Sequence, residues 1–139
     1  MKIAVRYHSR TGNTEKLARA IAEEVGVEAE TLGTPLSEKA DILFLGSAVY
    51  AAGVDKEVKR FLEANKENIG VLYAFSTAAI LASTYKQVKK LAEKQGITVA
   101  AREFHCRGKF AFMHKNHPDA EDLESAAQFA KEVVQGEQR

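Results

Sequence analysis

Two short runs, Ile42-Leu43-Phe44-Leu45 and Val71-Leu72-Tyr73-Ala74-Phe75, are apolar on successive residues rather than on alternate ones. Successive side chains of a strand point to opposite faces, so such strands need cover on both. A parallel sheet held between two layers of helices provides it. Residues 2–8 alternate, with Ile3, Val5 and Tyr7 on one side, and read as a further strand. Residues 27–31 and 97–104 alternate or carry charges, Arg102 and Glu103 among them, as edge strands do. Between these lie stretches of helical period: Leu17, Ile21 and Val25; Val54, Val58, Phe61 and Leu62; Val88 and Leu91 in a Lys-rich setting. A last one over residues 119–134 is carried by Leu123, Ala126, Ala127, Ala130 and Val133 or Val134. Gly26 and Gly96 stand where helices should stop. Residues 35–39 hold only about a turn and a half, so any helix between the second and third strands is expected to be short or irregular. The fold class is α/β: a three-layer sandwich around a five-stranded parallel sheet. With right-handed crossovers and the second and fifth strands at the edges, the order 2-1-3-4-5 fits best. Without repeats or linkers, residues 1–139 are expected to form one domain.

Arg6 is the misfit, because a central strand rarely buries an unpaired guanidinium. Its head is expected to reach a carboxylate or the end of the sheet. The net charge of +1 is too small for a general attraction to nucleic acid or to a membrane surface. Its distribution is uneven: residues 71–117 carry eight basic and two acidic side chains, residues 118–139 two and six. One edge of the molecule should therefore attract anions. No run reaches the roughly 18 apolar residues of a membrane span, the start lacks an apolar leader core, and Cys106 is the single cysteine. A cytoplasmic location is the expectation.

The chemistry lies in the loop after the first strand, Ser9-Arg10-Thr11-Gly12-Asn13-Thr14, which leads straight into a helix. Hydroxyl donors, a glycine and backbone N–H groups at the positive end of a helix are what a phosphate needs. The alternative reading is a Ser/Thr helix cap with a turn glycine. No Lys follows the glycine, so this is not a Walker loop, and the glycine spacing is not that of dinucleotide-binding folds.

This loop resembles that of the flavodoxins, whose pattern at this place in the chain is Ser/Thr-x-Thr-Gly-x-Thr. Gly46-Ser47-Ala48-Val49-Tyr50 is similar to the second flavin loop of that family, and the strand spacing follows the short-chain members over nearly the whole chain. The resemblance implies a flavodoxin-like fold and one bound FMN. Ser9, Thr11, Thr14 and the amides from Arg10 through Gly12 and Asn13 to Thr14 would hold its phosphate. The ring would lie between the loop beginning Ser47, Ala48, Val49, Tyr50, Ala51 and the one beginning Ser76, Thr77, Ala78. The crevice rule for doubly wound sheets, of which flavodoxins are themselves an example, places a ligand at the same point. A response-regulator receiver would need acids where His8-Ser9 and Gly46-Ser47 stand, and a low-molecular-weight phosphatase a cysteine in the first loop.

The implied role is that of a redox carrier between a reductase and an acceptor, with no catalytic residue of its own. The alternatives are an FMN-dependent oxidoreductase acting on a quinone or protoporphyrinogen-type small hydrophobic substrate, and an anion-binding module without flavin. Where the family has a glycine after the aromatic residue, this chain has Ala51. An L-residue enters positive φ at a cost of about 1–2 kcal/mol, so reduction is expected to favour two electrons together. The third loop, residues 75–82, carries no acid. Arg107 beside Cys106 would lower a thiol pKa, though inert packing is the expectation. Cys106, His114 and His117 match no metal-ligand spacing, so no metal is expected.

Overall fold

Each of the two doubly apolar runs forms the middle of a long strand, and the two strands pair with each other. The computed structural model describes residues 1–8, 12–50, 53–54, 56–78, 85–107 and 119–137, with backbone alone at 48–50, 53–54, 78 and 106–107. Its strands are β1 (Ile3–Tyr7), β2 (Ala29–Thr31), β3 (Ala40–Tyr50), β4 (Gly53–Val54), β5 (Ile69–Ala78), β6 (Thr98–Val99) and β7 (Phe104–Arg107). The helices are α1 (Asn13–Val25), α2 (Lys56–Asn65), α3 (Tyr85–Lys94) and α4 (Ala120–Glu137). The sheet runs β2-β1-β3-β5-β6 in parallel, and β7 pairs with β5 beyond β6. Taking β6 and β7 as two halves of one position, this is the expected order 2-1-3-4-5.

Alternation divides the core into two. Ile42 and Phe44 of β3 and Tyr73 and Phe75 of β5 pack with Leu17, Ile21, Phe129 and Val133 from α1 and α4. Leu43 and Leu45, with Leu72 and Ala74, pack with Val58, Phe61, Leu62, Val88 and Ala92 from α2 and α3. Of the two valines near the end of α4, Val133 is buried and Val134 lies at the edge of the cluster. Gly26 and Gly96 take positive φ, 77° and 76°, directly after α1 and soon after α3. At the start of α4, the Asp122 amide donates to Asp119 Oδ1 at 2.9 Å and the Asp119 amide to Asp122 Oδ2 at 3.0 Å. This reciprocal cap meets two amides that the helix cannot.

Three expectations need correction. The fifth strand is broken, because the Ala100 carbonyl accepts the Tyr85 hydroxyl at 2.8 Å and the Arg102 guanidinium turns to Glu132 and the Phe129 ring on α4. Val54, which fits a helical period with Val58, belongs instead to β4, antiparallel to the end of β3; α2 starts at Lys56. Residues 32–39 form no helix at all.

Arg6 explains how that last connection is held. Its Nε donates to the Thr34 carbonyl at 2.9 Å, one Nη to the Val5 carbonyl at 3.1 Å and the other to the Pro35 carbonyl at 3.3 Å. The Glu30 carboxylate lies 3.3 Å from that second Nη. The guanidinium thus reaches a carboxylate, as expected, and three carbonyls besides. It does the work that helix hydrogen bonds would otherwise do for this stretch. Asn65 adds to it, accepting from the Leu36 amide at 2.9 Å and donating to the Phe61 carbonyl. Burial pulls the Arg6 pKa below its ordinary value, and Glu30 opposes that pull.

Replacing Arg6 by Met keeps the stem and removes every donor, so a loss of about 2–4 kcal/mol is expected in urea unfolding. Glu30→Gln should cost under about 1 kcal/mol, because Glu30 is half-exposed and the carbonyls still hold the head. Equal losses for the two variants would contradict this account.

Tyr73 supplies a pH dependence. Burial, and then the hydrogen bond its hydroxyl donates to Glu137, push its pKa from 10.0 up to about 12. The folded value lies above the unfolded one, so the stabilisation is complete below about pH 10 and is lost as pH rises towards 12. Urea unfolding from pH 8 to 11 should show a steeper alkaline loss for the wild type than for Tyr73→Phe, by up to about 1 kcal/mol once solvent screening of the hydroxyl is allowed for.

Candidate functional site

All the parallel strands end at one edge of the sheet, and of the hydroxyl residues noted in the sequence Thr14, Ser47, Ser76 and Thr77 gather there. In the β3–β5 register, Gly46 faces Phe75, Ser47 faces Ser76 and Ala48 faces Thr77. Ser47, Ser76 and Thr77 are almost fully buried. The His8 amide donates to the Gly46 carbonyl at 3.1 Å, which ties the exit of β1 to the same edge. Gly46 cannot be larger, because a Cβ there would lie 2.3 Å from the Phe75 ring. The ring fills the space beneath the strand ends.

Helix α1 starts beside this edge. Gly12 occupies its N-cap position with φ 86° and brings no side chain to cap the first-turn amides. An L-residue at that φ would be strained. Asn13 and Thr14 follow, both buried, and the Thr14 and Thr77 hydroxyls lie 2.8 Å apart in one hydrogen bond. The bond joins the start of α1 to the end of β5 across 63 residues of sequence. Glu15, the first-turn acid, is taken up by Arg19, whose Nε donates to it at 2.9 Å. Its charge is thereby balanced at a helix end suited to anions. Burial, and then Glu15, hold the Tyr7 hydroxyl above its ordinary pKa.

The structure thus brings together Gly12, Asn13, Thr14, Ser47, Ser76 and Thr77. Ala48, Val49 and Tyr50, read as loop from the sequence, continue β3 instead, and Ala78 ends β5. Tyr50 pairs with Gly53 and Val49 with Val54, so the second loop is a hairpin. Ser9, Arg10, Thr11 and Ala51 lie outside the described residues, as does the third loop beyond Ala78 and the histidine pair His114 and His117. Sequence reasoning missed Gly46 as a packing position, although its place directly after the apolar run Ile42-Leu43-Phe44-Leu45 was a usable signal. It also missed that β7 sets His105, Cys106 and Arg107 level with Ser76, Thr77 and Ala78. Among the described residues no group of His, Cys, Asp or Glu is assembled for a metal, and no helix is long and apolar enough to cross a membrane.

A profile described as a flavodoxin domain matches residues 4–113. The chain belongs to the flavodoxin family. An uncharacterized protein of Methanocaldococcus jannaschii is 27% identical over 149 residues, covering 96% of this chain and 99% of that one. A flavodoxin of Clostridium saccharobutylicum is 33% identical over 97 residues, 59% of each chain. A solved flavodoxin from the domain Archaea superposes with a TM-score of 0.81 over 100% of both chains, at 17% identity. That likeness speaks for the fold alone.

The family's cofactor is FMN, and the described residues of this chain fit it. A helix start without a side-chain cap suits a phosphate, and buried hydroxyls at the strand ends offer polar partners without fixed charge.

Thr77→Val keeps the shape and removes the hydroxyl, leaving buried Thr14 without this partner. A loss of about 1–3 kcal/mol is expected in urea unfolding. Thr77→Ser should recover most of it. A neutral Thr77→Val would mean that the hydroxyl pair carries no stability.

Proposed function

We propose that residues 1–139 form a single flavodoxin-like domain that binds one FMN at the carboxyl edge of the sheet and carries electrons between a reductase and an acceptor in the cytoplasm. The observation that carries this reading is the start of α1 at Gly12, whose N-cap residue brings no side chain, set beside the buried hydroxyl pair of Thr14 and Thr77.

In this reading the phosphate is held by Ser9, Thr11, Thr14 and the amides from Arg10 to Thr14. Gly12 leaves room for close approach. The ring is flanked on one side by Ser47, Ala48, Val49, Tyr50 and Ala51, and on the other by Ser76, Thr77 and Ala78. Tyr50 offers a planar platform, worth about 0.5–1.5 kcal/mol beyond its buried area. When bound, FMN supplies the electron-transfer chemistry. The chain itself binds and orients, and it excludes water from the strand ends, where Ser47 and Ser76 are buried. A site of hydroxyls and amides suits a carrier, which must hold its cofactor and expose one edge of it to proteins.

The test is a titration of FMN and riboflavin into apoprotein. A charge-assisted hydrogen bond contributes about 1.5–3 kcal/mol, so Thr11→Ala should weaken FMN binding by roughly one to two powers of ten and leave riboflavin little changed. Equal affinity of the wild type for both flavins would overturn the phosphate assignment. Steady turnover of NAD(P)H with a quinone, without added reductase, would replace the carrier role with an enzymatic one.

A further inference from the structure

The two helical layers carry opposite charge. On α1 and α4 together, three basic residues stand against eight acidic ones; on α2 and α3, seven stand against three. Most of the positive excess is on α3, which holds Lys86, Lys89, Lys90 and Lys94 with Glu93 as its one acid. Val88 and Ala92 turn inward to the core, and Lys86, Lys90 and Lys94 are exposed on the outer side. They form a stripe about 12 Å long.

Helices α1 and α2 pair their charges along the surface: Arg19 with Glu15, Lys59 with Glu63, Arg60 with Glu57. Helix α3 does the opposite. Lys86, Lys90 and Lys94 follow at i, i+4 and i+8, a spacing at which like charges repel. Lys86 stands in the first turn, where the helix dipole disfavours a cation. Among the described residues none of these three forms an ion pair, and Lys89 lies over the Tyr85 ring, 5.9 Å from its centre. Lys94, in the last turn, is favoured by the dipole, but the repulsion along the stripe and the cation in the first turn oppose helix stability, the kind of local inconsistency expected at a functional surface.

Position decides what the face is for. Helix α3 packs against β5 and against β4, the strand paired with the end of β3, so the stripe lies beside the candidate site and extends along the outer side of its helical layer. We propose that the lysine face of α3 is the docking surface for an acidic redox partner protein. This rests on the carrier role proposed above. The partner presents carboxylates to Lys86, Lys90 and Lys94, which sets it against the cofactor edge. The acidic layer behind the sheet repels the same partner, so the dipole across the molecule orients the encounter before contact.

The experiment compares the wild type with Lys86→Glu/Lys90→Glu/Lys94→Glu, and with Lys131→Glu on α4 as a control in the opposite layer. FMN titration of each comes first; matching affinities separate docking from cofactor binding, and failure of the wild type to take up FMN overturns the carrier role by itself. Reduced, FMN-loaded protein is then mixed with the trianion ferricyanide in stopped flow, from about 0.01 M to about 1 M ionic strength, where the Debye length falls from about 30 Å to about 3 Å. At low salt the triple variant should react about tenfold more slowly than the wild type, and at high salt equally fast. Lys131→Glu should follow the wild type. Binding of fluorescent poly-L-glutamate, which needs no FMN, should be lost in the triple variant alone. Equal rates and equal poly-L-glutamate binding for wild type and triple variant would overturn the proposal. So would self-association of the wild type at low salt that the triple variant lacks, or capture by phosphatidylglycerol vesicles at physiological salt, which would assign the face to a second copy or to a lipid surface.

Discussion

The parallel pairing of β3 with β5, running from Ala40 opposite Ile69 to Ala48 opposite Thr77, is the constraint on which the rest of the structure depends. Two strands apolar on both faces can be buried only between helices. Their parallel direction obliges each connection to cross back over a face of the sheet. Every strand then ends at the same edge, where the chain must change from an apolar ladder to polar turns. Ser47, Ser76 and Thr77 stand at that change. Their hydroxyls let the strands stay buried to their ends while still offering hydrogen bonds, so the site is a consequence of how the core terminates.

The same constraint leaves a difficulty at the other edge. The crossover between β2 and β3 spans residues 32–39, too few for a helix that would cover the sheet, and its backbone still needs partners. A single guanidinium meets it. Arg6 lies in a central strand, yet its head emerges where the covering helix is missing and donates to Thr34 and Pro35. The buried cation and the absent helix are one solution, and neither would be tolerated alone: the carbonyls need donors, and the charge needs acceptors.

What was legible in the sequence follows from these two points. Periodicity reveals whatever a core dictates, so the central strands, the four main helices and the strand order could all be read from Leu43, Phe44, Leu72, Phe75 and their helical counterparts. It fails where backbone geometry decides. Val54 fits a helical period with Val58, but the ladder of β3 continues past Gly46 and folds back as a hairpin, which claims Val54 first. Ala100 lies in an alternating run, but Tyr85 takes its carbonyl out of the strand. At the site, residue types were enough to name Thr14 and Thr77 separately. Their contact could not be read, because a hydrogen bond across 63 residues leaves no trace in local pattern.

The charge arrangement separates two tasks by range. Around the candidate site the described side chains that would meet a phosphate are neutral hydroxyls, and Glu15 is neutralised by Arg19. In the proposed reading, attraction there comes from oriented N–H dipoles at the start of α1, which act within one helical turn and are shielded from salt by burial. Lys86, Lys90 and Lys94 of α3 are exposed, so their field reaches outward over about a Debye length and weakens with ionic strength. Had lysines been used at the phosphate, their charge would have stabilised a reduced, more anionic cofactor and tied its potential to the docking face. In the proposed reading, hydroxyls and amides at the phosphate with lysines on the outer face of α3 separate the two tasks: burial shields cofactor binding from salt, while the encounter with a partner responds to it.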